Sequence, residues 1–160
     1  MDAYRNFRAG LPPPAECLAI LVGVTQVTVF GLAGIANPVD FAKGYGLPLS
    51  LGSSGQQQQS GTEGSKGGDN VEKTQIALVS AISARNVTNG VLLLALACYA
   101  RDRRALGIAM TANAISTLAD TCIVRWFGAA DQASLHITGL VSSLGIGSSL
   151  LYWRRDNPWW

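Results

Sequence analysis

Four long apolar stretches separated by polar segments are the dominant pattern along this chain. They run over Ala15–Ala36, Gln75–Tyr99, Ala105–Phe127 and Ala133–Trp153. A helix rises about 1.5 Å per residue and the hydrocarbon core of a bilayer is about 30 Å thick, so about 20 residues are needed to cross it. All four stretches reach that length. The pattern therefore predicts four membrane-spanning helices.

The connections between the spans predict how the helices are arranged. Ala100–Arg104 and Gly128–Gln132 are short, so the second, third and fourth spans should be antiparallel neighbours. Gly52–Asn70 is rich in Gly, Ser and Gln, and such a segment buries too little apolar surface to fold, so we expect a disordered insertion. The predicted fold is a single all-α domain over residues 1–160. It is an up-down four-helix transmembrane bundle with one long disordered lumenal or extracellular loop.

Composition and charge favour a protein solvated by lipid. Only 14% of the 160 residues are charged, against about 25% in a typical soluble domain. The net charge of +2 is small, and no basic stripe with interleaved aromatic residues is present, which argues against a nucleic-acid partner. The lipid bilayer is the expected partner. No spacing typical of a metal site occurs, and no cofactor is expected.

The distribution of basic residues predicts the orientation. If the spans alternate, the side that holds both termini carries seven Arg, and the other side carries four Lys or Arg. Because basic residues near span ends stay in the cytoplasm, both termini should be cytosolic. Endoplasmic reticulum or another endomembrane is the expected location. The first apolar stretch could instead be a signal peptide, although it is longer than such regions usually are.

Arg85 is the most informative polar residue because it lies midway along the second span. A charged Arg there costs about 2.5–3.5 kcal/mol on insertion scales and needs a partner. The short turn between the second and third spans places Arg85 level with Asp120. We therefore predict an ion pair between Arg85 and Asp120 inside the bundle.

Other polar side chains should surround this pair in a polar chamber. His136 begins the fourth span about one turn from Asp120, and together they could move a proton while Arg85 holds an anion. The candidate catalytic set is thus Arg85, Asp120 and His136. The expected chamber-lining residues are Gln26, Asn86, Asn89 and Asn113, for which hydrogen bonding between helices is the alternative role.

Two further features have structural interpretations. Gly139, Ser143 and Gly147 form a stripe of small residues, which predicts close helix packing or, alternatively, a homo-oligomer interface. Phe41 and Tyr45 follow the first span and could lie at headgroup depth.

Several short motifs resemble a known family. They are NPVDFAKGYGLP at Asn37–Pro48, ARNVTNGVLLLALA at Ala84–Ala97 and ADTCIVRWFG at Ala119–Gly128, followed by His136. This pattern resembles a family of small four-span membrane proteins of unknown function, mostly fungal and distantly similar to DoxX-type proteins. The family usually has Asp after the Arg of the second span, where this chain has Asn86, which weakens an acid–base role at that position. Members are often encoded near genes of secondary-metabolite synthesis, which implies an accessory role in such a pathway.

Three functions remain open from the sequence. The first is an accessory membrane component that handles lipophilic metabolites. The alternative is a small membrane-embedded isomerase or cyclase that acts on an apolar polyketide or terpenoid through Arg85, Asp120 and His136. A transporter ranks last, because no inverted repeat or broken helix is evident. A cavity beside the ion pair would favour ligand handling, whereas a closed pair without a cavity would favour a scaffold.

Overall fold

The computed structural model describes residues 13–47, 49, 65–128 and 130–153. Apart from short connections, these residues are helical, and no strand occurs among them. In chain order the elements are Pro14–Thr25, a π-helical segment Gln26–Leu32, Ala33–Ala36, Pro38–Tyr45, Ser65–Leu94, a second π-helical segment Ala95–Ala100, Arg103–Phe127, a 3-10 turn Ala130–Gln132, and Ala133–Tyr152. The predicted all-α class is confirmed.

Four of the helical stretches are long and apolar enough to cross a membrane. They are the first span Pro14–Ala36, the second span Asn70–Ala100, the third span Arg103–Phe127 and the fourth span Ala133–Tyr152. Large apolar side chains cover their outer faces, with Ile115 70% and Val141 64% exposed. Such a continuous apolar exterior suits lipid rather than water. By length and composition, the chain is therefore a multi-pass membrane protein.

The boundary between the predicted insertion and the second span differs from the prediction. Helix begins at Ser65, so residues 65–70 belong to the long helix rather than to a disordered loop. The two glycines at 67 and 68 lower helix propensity, but a helix already nucleated by the apolar residues beyond Val71 can extend outward at little cost. The rest of the expected insertion, 52–64, lies outside the described residues.

The spans pack as two close pairs. The first span lies against the second, where Gly90 allows the Gly23 carbonyl to approach so closely that a Cβ on Gly90 would come within 2.6 Å of its oxygen. The third span lies along most of the fourth, where a Cβ on Gly147 would come within 2.6 Å of the Thr111 hydroxyl. Packing between the two pairs is sparser. The bundle therefore consists of two helix pairs, the first and second spans and the third and fourth spans. We call the boundary between these two pairs the seam.

The small-residue stripe of the fourth span is used within the chain. Ser143 is 4% exposed, and Gly147 is buried against the third span. Of the two interpretations of this stripe, the contacts are those of close helix packing. Ser143 and Gly147 therefore pack within the chain, and a homo-oligomer interface through Gly139, Ser143 and Gly147 stays a prediction.

A buried ion pair ties the seam together at one end of the bundle. Glu16, 1% exposed at the start of the first span, lies 3.0 Å from Nε of Arg103 at the start of the third. The Arg103 guanidinium also donates to the carbonyls of Ser149, at 3.1 Å, and Trp153. The sequence interpretation had counted Arg103 only as a cytosolic charge. Because its partners lie far apart in sequence, spacing alone did not reveal this cluster.

A short helix, Pro38–Tyr45, follows the first span at the opposite end. Asn37 caps it, with its side-chain oxygen accepting a hydrogen bond from the Asp40 amide at 3.3 Å, and Pro38 occupies the first helical position. Gly46 ends it in the left-handed conformation with φ of 87°. The Gly46 carbonyl lies so close to Gly128 that a side chain on Gly128 would collide with the carbonyl oxygen. The short helix is thus held against the connection between the third and fourth spans.

Candidate functional site

The predicted ion pair is present and crosses the seam between the second and third spans. Nη2 of Arg85, on the second span, lies 2.6 Å from Oδ2 of Asp120, on the third. The Asp120 side chain is 10% exposed and that of Arg85 is 38% exposed. The short turn at Arg101–Asp102 sets this register, with Asp102 capping the third span through a 2.9 Å hydrogen bond from the Ala105 amide. The depth argument from sequence therefore gave the correct partners.

Tyr45 is the site residue that the sequence interpretation missed. Its hydroxyl donates to Oδ2 of Asp120 at 2.7 Å, and the residue is 7% exposed, buried among the spans. It lies at the last position of the short helix, where the Gly46 turn directs it into the seam. Burial, followed by the neighbouring Asp120 carboxylate, raises the pKa of Tyr45 well above its ordinary value. The phenol therefore stays protonated and remains a donor.

His136 lies in the same site, and it contacts Tyr45 rather than Asp120. Its Nε2 is 3.1 Å from the carbonyl oxygen of Tyr45, and the two rings meet edge to face with centroids 4.5 Å apart. Since a carbonyl can only accept, Nε2 carries the proton in this arrangement. No hydrogen bond joins His136 to Asp120 within the described part of the chain. Asp120 and His136 are instead both linked to Tyr45, through its hydroxyl and its carbonyl respectively, and their joint role in proton transfer stays a prediction.

The amides predicted to line the chamber form a layer that connects three spans. Gln26 and Asn89 both donate to Oδ1 of Asn113, at 3.1 and 3.3 Å respectively. The Asn86 amide donates to the carbonyl of Phe30 at 3.4 Å. Gln26 and Phe30 both belong to the π-helical segment of the first span, a rare geometry that recurs at functional sites. The expected hydrogen bonding between helices is thus present.

A cavity of about 340 Å³ adjoins these groups, and we call it the chamber. All seven residues named from the sequence line it: Gln26, Arg85, Asn86, Asn89, Asn113, Asp120 and His136. Tyr45 and several hydroxyl side chains of the third and fourth spans line it too, while Leu21, Val22, Phe30 and Leu135 supply apolar walls. Cavities that hold small molecules are usually about 300–1,000 Å³, mostly apolar, with a few placed polar groups. The chamber meets that description.

Among the residues that the structure describes, two chamber-lining side chains each carry a polar atom without a hydrogen-bond partner. These atoms are Nε of Arg85, a donor, and Oε1 of Gln26, an acceptor, and both are shielded from solvent. Leaving such groups unpaired costs free energy, so a turn of either side chain that brings the atom to the cavity surface would let it bond to a ligand or water. Within the described residues, no group of His, Cys, Asp and Glu is arranged to hold a metal ion.

Comparison with known proteins gives a family without an activity. Residues 24–150 match the family described as "Domain of unknown function (DUF4267)". This matched range includes every chamber residue named from the sequence. The chain belongs to this family. No curated protein matches it. No solved structure matches it either.

Proposed function

We propose that this protein binds a small lipophilic molecule in the chamber, as an accessory component that handles lipophilic metabolites. The observation that carries this proposal is the cavity that adjoins the Arg85–Asp120 pair. A pair that only fixed the helix register would need no open space beside it, whereas the chamber joins apolar walls to convergent polar groups. The family resemblance of the sequence adds the expectation that the ligand belongs to a secondary-metabolite pathway.

A binding experiment tests this proposal with 2-decanone as the probe. The detergent-purified protein is heated with increasing probe, and its unfolding midpoint is followed. A ligand that binds only the folded state stabilises it by about 2.7 kcal/mol when the free ligand concentration is about a hundred times the Kd. A saturable rise in the unfolding midpoint is therefore expected. A midpoint that does not respond would contradict binding of such molecules.

Paired variants on the fourth span locate the binding. Ser143 lines the chamber and is buried, so S143L should fill it and remove the response to 2-decanone. Ser142 also lines the chamber but is exposed, so S142L keeps the test valid if S143L does not fold. Ser148 is exposed and lines no chamber, so S148L is the matched control and should respond like the natural protein. An equal response in all variants would mean that the probe binds elsewhere.

The alternative is an isomerase, and the convergence of Arg85, Asp120 and Tyr45 on the chamber favours it as the second candidate. The Asp120 carboxylate would remove a proton from a carbon beside a carbonyl and return it to another carbon, while Arg85 stabilises the oxyanion. Such an isomerisation balances without a cofactor. Loss of metabolite conversion in D120N with unchanged protein level would support it, whereas unchanged conversion would exclude it.

A further inference from the structure

The chamber's polar atoms and its opening together define a class of ligand. We infer, on the basis of the proposed binding function, that the ligand is an uncharged amphiphile with a carbonyl or hydroxyl head, and that it reaches the chamber from the bilayer between the first and fourth spans. Charged amphiphiles are excluded by the same groups.

The charges of the chamber are already balanced. The Arg85 guanidinium is paired with Asp120, at 2.6 Å, and the Tyr45 hydroxyl donates to the same carboxylate oxygen. A bound anion or cation would therefore add an unbalanced charge to the chamber. Burying a charge without a partner is costly in an apolar surrounding. A neutral head avoids that cost.

The unpaired atoms match the two ends of a hydroxyl or carbonyl group. Both atoms are shielded from the cavity, so each side chain must turn to reach a bound head. Nε of Arg85 can then donate to either kind of oxygen, whereas Oε1 of Gln26 can accept only from a hydroxyl. The Tyr45 hydroxyl already donates to Asp120, and His136 already bonds to the Tyr45 carbonyl. Neither side chain therefore needs a hydrogen bond to the ligand. A ketone would therefore use one of the two free atoms, and an alcohol could use both.

The chamber opens on the outer face of the bundle. Leu21 on the first span is 59% exposed and Leu135 on the fourth is 52% exposed, and both line the chamber. The exposed side chain of Ser142 and that of Thr138 line it further along the fourth span. All four positions lie within membrane-spanning helices, so the opening meets lipid. An apolar chain can thus pass from the bilayer into the chamber without crossing water.

A series of probes with the same ten-carbon chain and different heads tests this inference. The probes are 2-decanone, 1-decanol, decanesulfonate and decyltrimethylammonium, of which the last two keep their charge at every pH. Apparent Kd values come from the concentration dependence of the unfolding midpoint, after subtraction of the response of S143L. The two neutral probes should bind at least about tenfold more tightly than either charged one.

A variant of Gln26 tests the assignment of the acceptor. Q26M removes Oε1 and keeps the side-chain length. It should therefore raise the apparent Kd of 1-decanol by about three- to tenfold, the effect of losing one hydrogen bond. Binding of 2-decanone, which has no hydroxyl, should stay within about twofold of the natural protein and serves as the internal control for any change in the Gln26–Asn113 contact. Equal losses for both probes would overturn the assignment.

The outcomes separate this inference from the proposed function. If decanesulfonate or decyltrimethylammonium binds as tightly as 1-decanol, and S143L removes the response, the chamber binds ligands but the neutral-head inference is wrong. If no probe distinguishes the natural protein from S143L, both the inference and the proposed function are overturned. Neutral-head preference with loss in S143L supports both.

Discussion

At the scale of single residues, one carboxylate oxygen organises the site. Oδ2 of Asp120 accepts from both the Arg85 guanidinium and the Tyr45 hydroxyl, at 2.6 and 2.7 Å. The first contact could be predicted from sequence, because two opposite charges level on neighbouring helices in lipid have few other ways to be neutralised. The second could not, because it depends on how the chain turns after Asn37. His136 lines the chamber, but its contact with Tyr45 could not be predicted for the same reason.

Removing one charge of the central pair should cost more than removing both. D120L leaves the Arg85 guanidinium unpaired, and we expect a loss of about 2–3 kcal/mol in the free energy of unfolding. This is less than the ~3–5 kcal/mol of fully buried pairs, because the Arg85 side chain is 38% exposed. The double variant R85M/D120L should recover most of that loss. Unfolding in mixed micelles with increasing dodecyl sulfate measures each value, and a double variant less stable than D120L would contradict the expectation.

The buried phenol predicts a dependence of stability on alkaline pH. The pKa of Tyr45 is raised in the folded state, so its contribution is fully present below the unfolded value of about 10 and falls as the pH rises above it. Y45F should lose about 1 kcal/mol at neutral pH, the worth of one hydrogen bond. Between about pH 9 and 11.5 its stability should decline less steeply than that of the natural protein. Y152F, at an exposed tyrosine, is the control and should follow the natural profile.

At the scale of elements, the short helix Pro38–Tyr45 decides the shape of the site. Its capping signals are all present in the sequence, with Asn37 and Pro38 at the start and Gly46 at the end. They were sufficient to predict a helix, but Phe41 and Tyr45 were interpreted as interfacial because aromatic residues are common at headgroup depth. The close approach of Gly46 to Gly128 and the hydrogen bond from Tyr45 to Asp120 show that it turns inward. The four spans, in contrast, followed directly from the length of their apolar stretches.

Two glycines of this segment provide a matched pair of alanine variants. Gly46 has a φ of 87°, and a Cβ there would lie 2.8 Å from Cβ of Gln132, so G46A should destabilise by about 1–3 kcal/mol and displace Tyr45. Gly44 lies inside the helix, and a methyl group added there would meet no atom within 4 Å, so G44A should be neutral or stabilise by up to about 1 kcal/mol. Unfolding midpoints and 2-decanone binding test both. Equal effects would show that the Gly46 turn does not position Tyr45.

At the scale of the whole molecule, the bundle is joined at both ends of its seam. Glu16 and Arg103 form one ion pair, and Arg85, Asp120 and Tyr45 form the other cluster. The four-helix architecture and the seven chamber residues were predictable, since periodicity and register fix depth and approximate facing. The division into two close pairs was not, because it depends on contacts such as Gly90 against Gly23 that no spacing rule identifies.

The orientation of the bundle in its membrane stays a prediction, based on the seven basic residues of one side against four on the other. A glycosylation acceptor inserted between residues 52 and 64 should be modified in microsomes, because that connection is expected to be lumenal. The same acceptor inserted at the Arg101–Asp102 turn should stay unmodified. Modification at the turn instead would mean that the bundle has the opposite orientation.

The unequal packing of the helices has a consequence for measurements in lipid. Within each pair, glycines bring backbones together and leave little that can be compressed, whereas the seam between the pairs holds a cavity. Lateral squeezing by the surrounding acyl chains would therefore narrow the chamber before it disturbs either pair. If the chamber binds a ligand as proposed, the measured affinity should therefore depend on the thickness and the tension of the host bilayer.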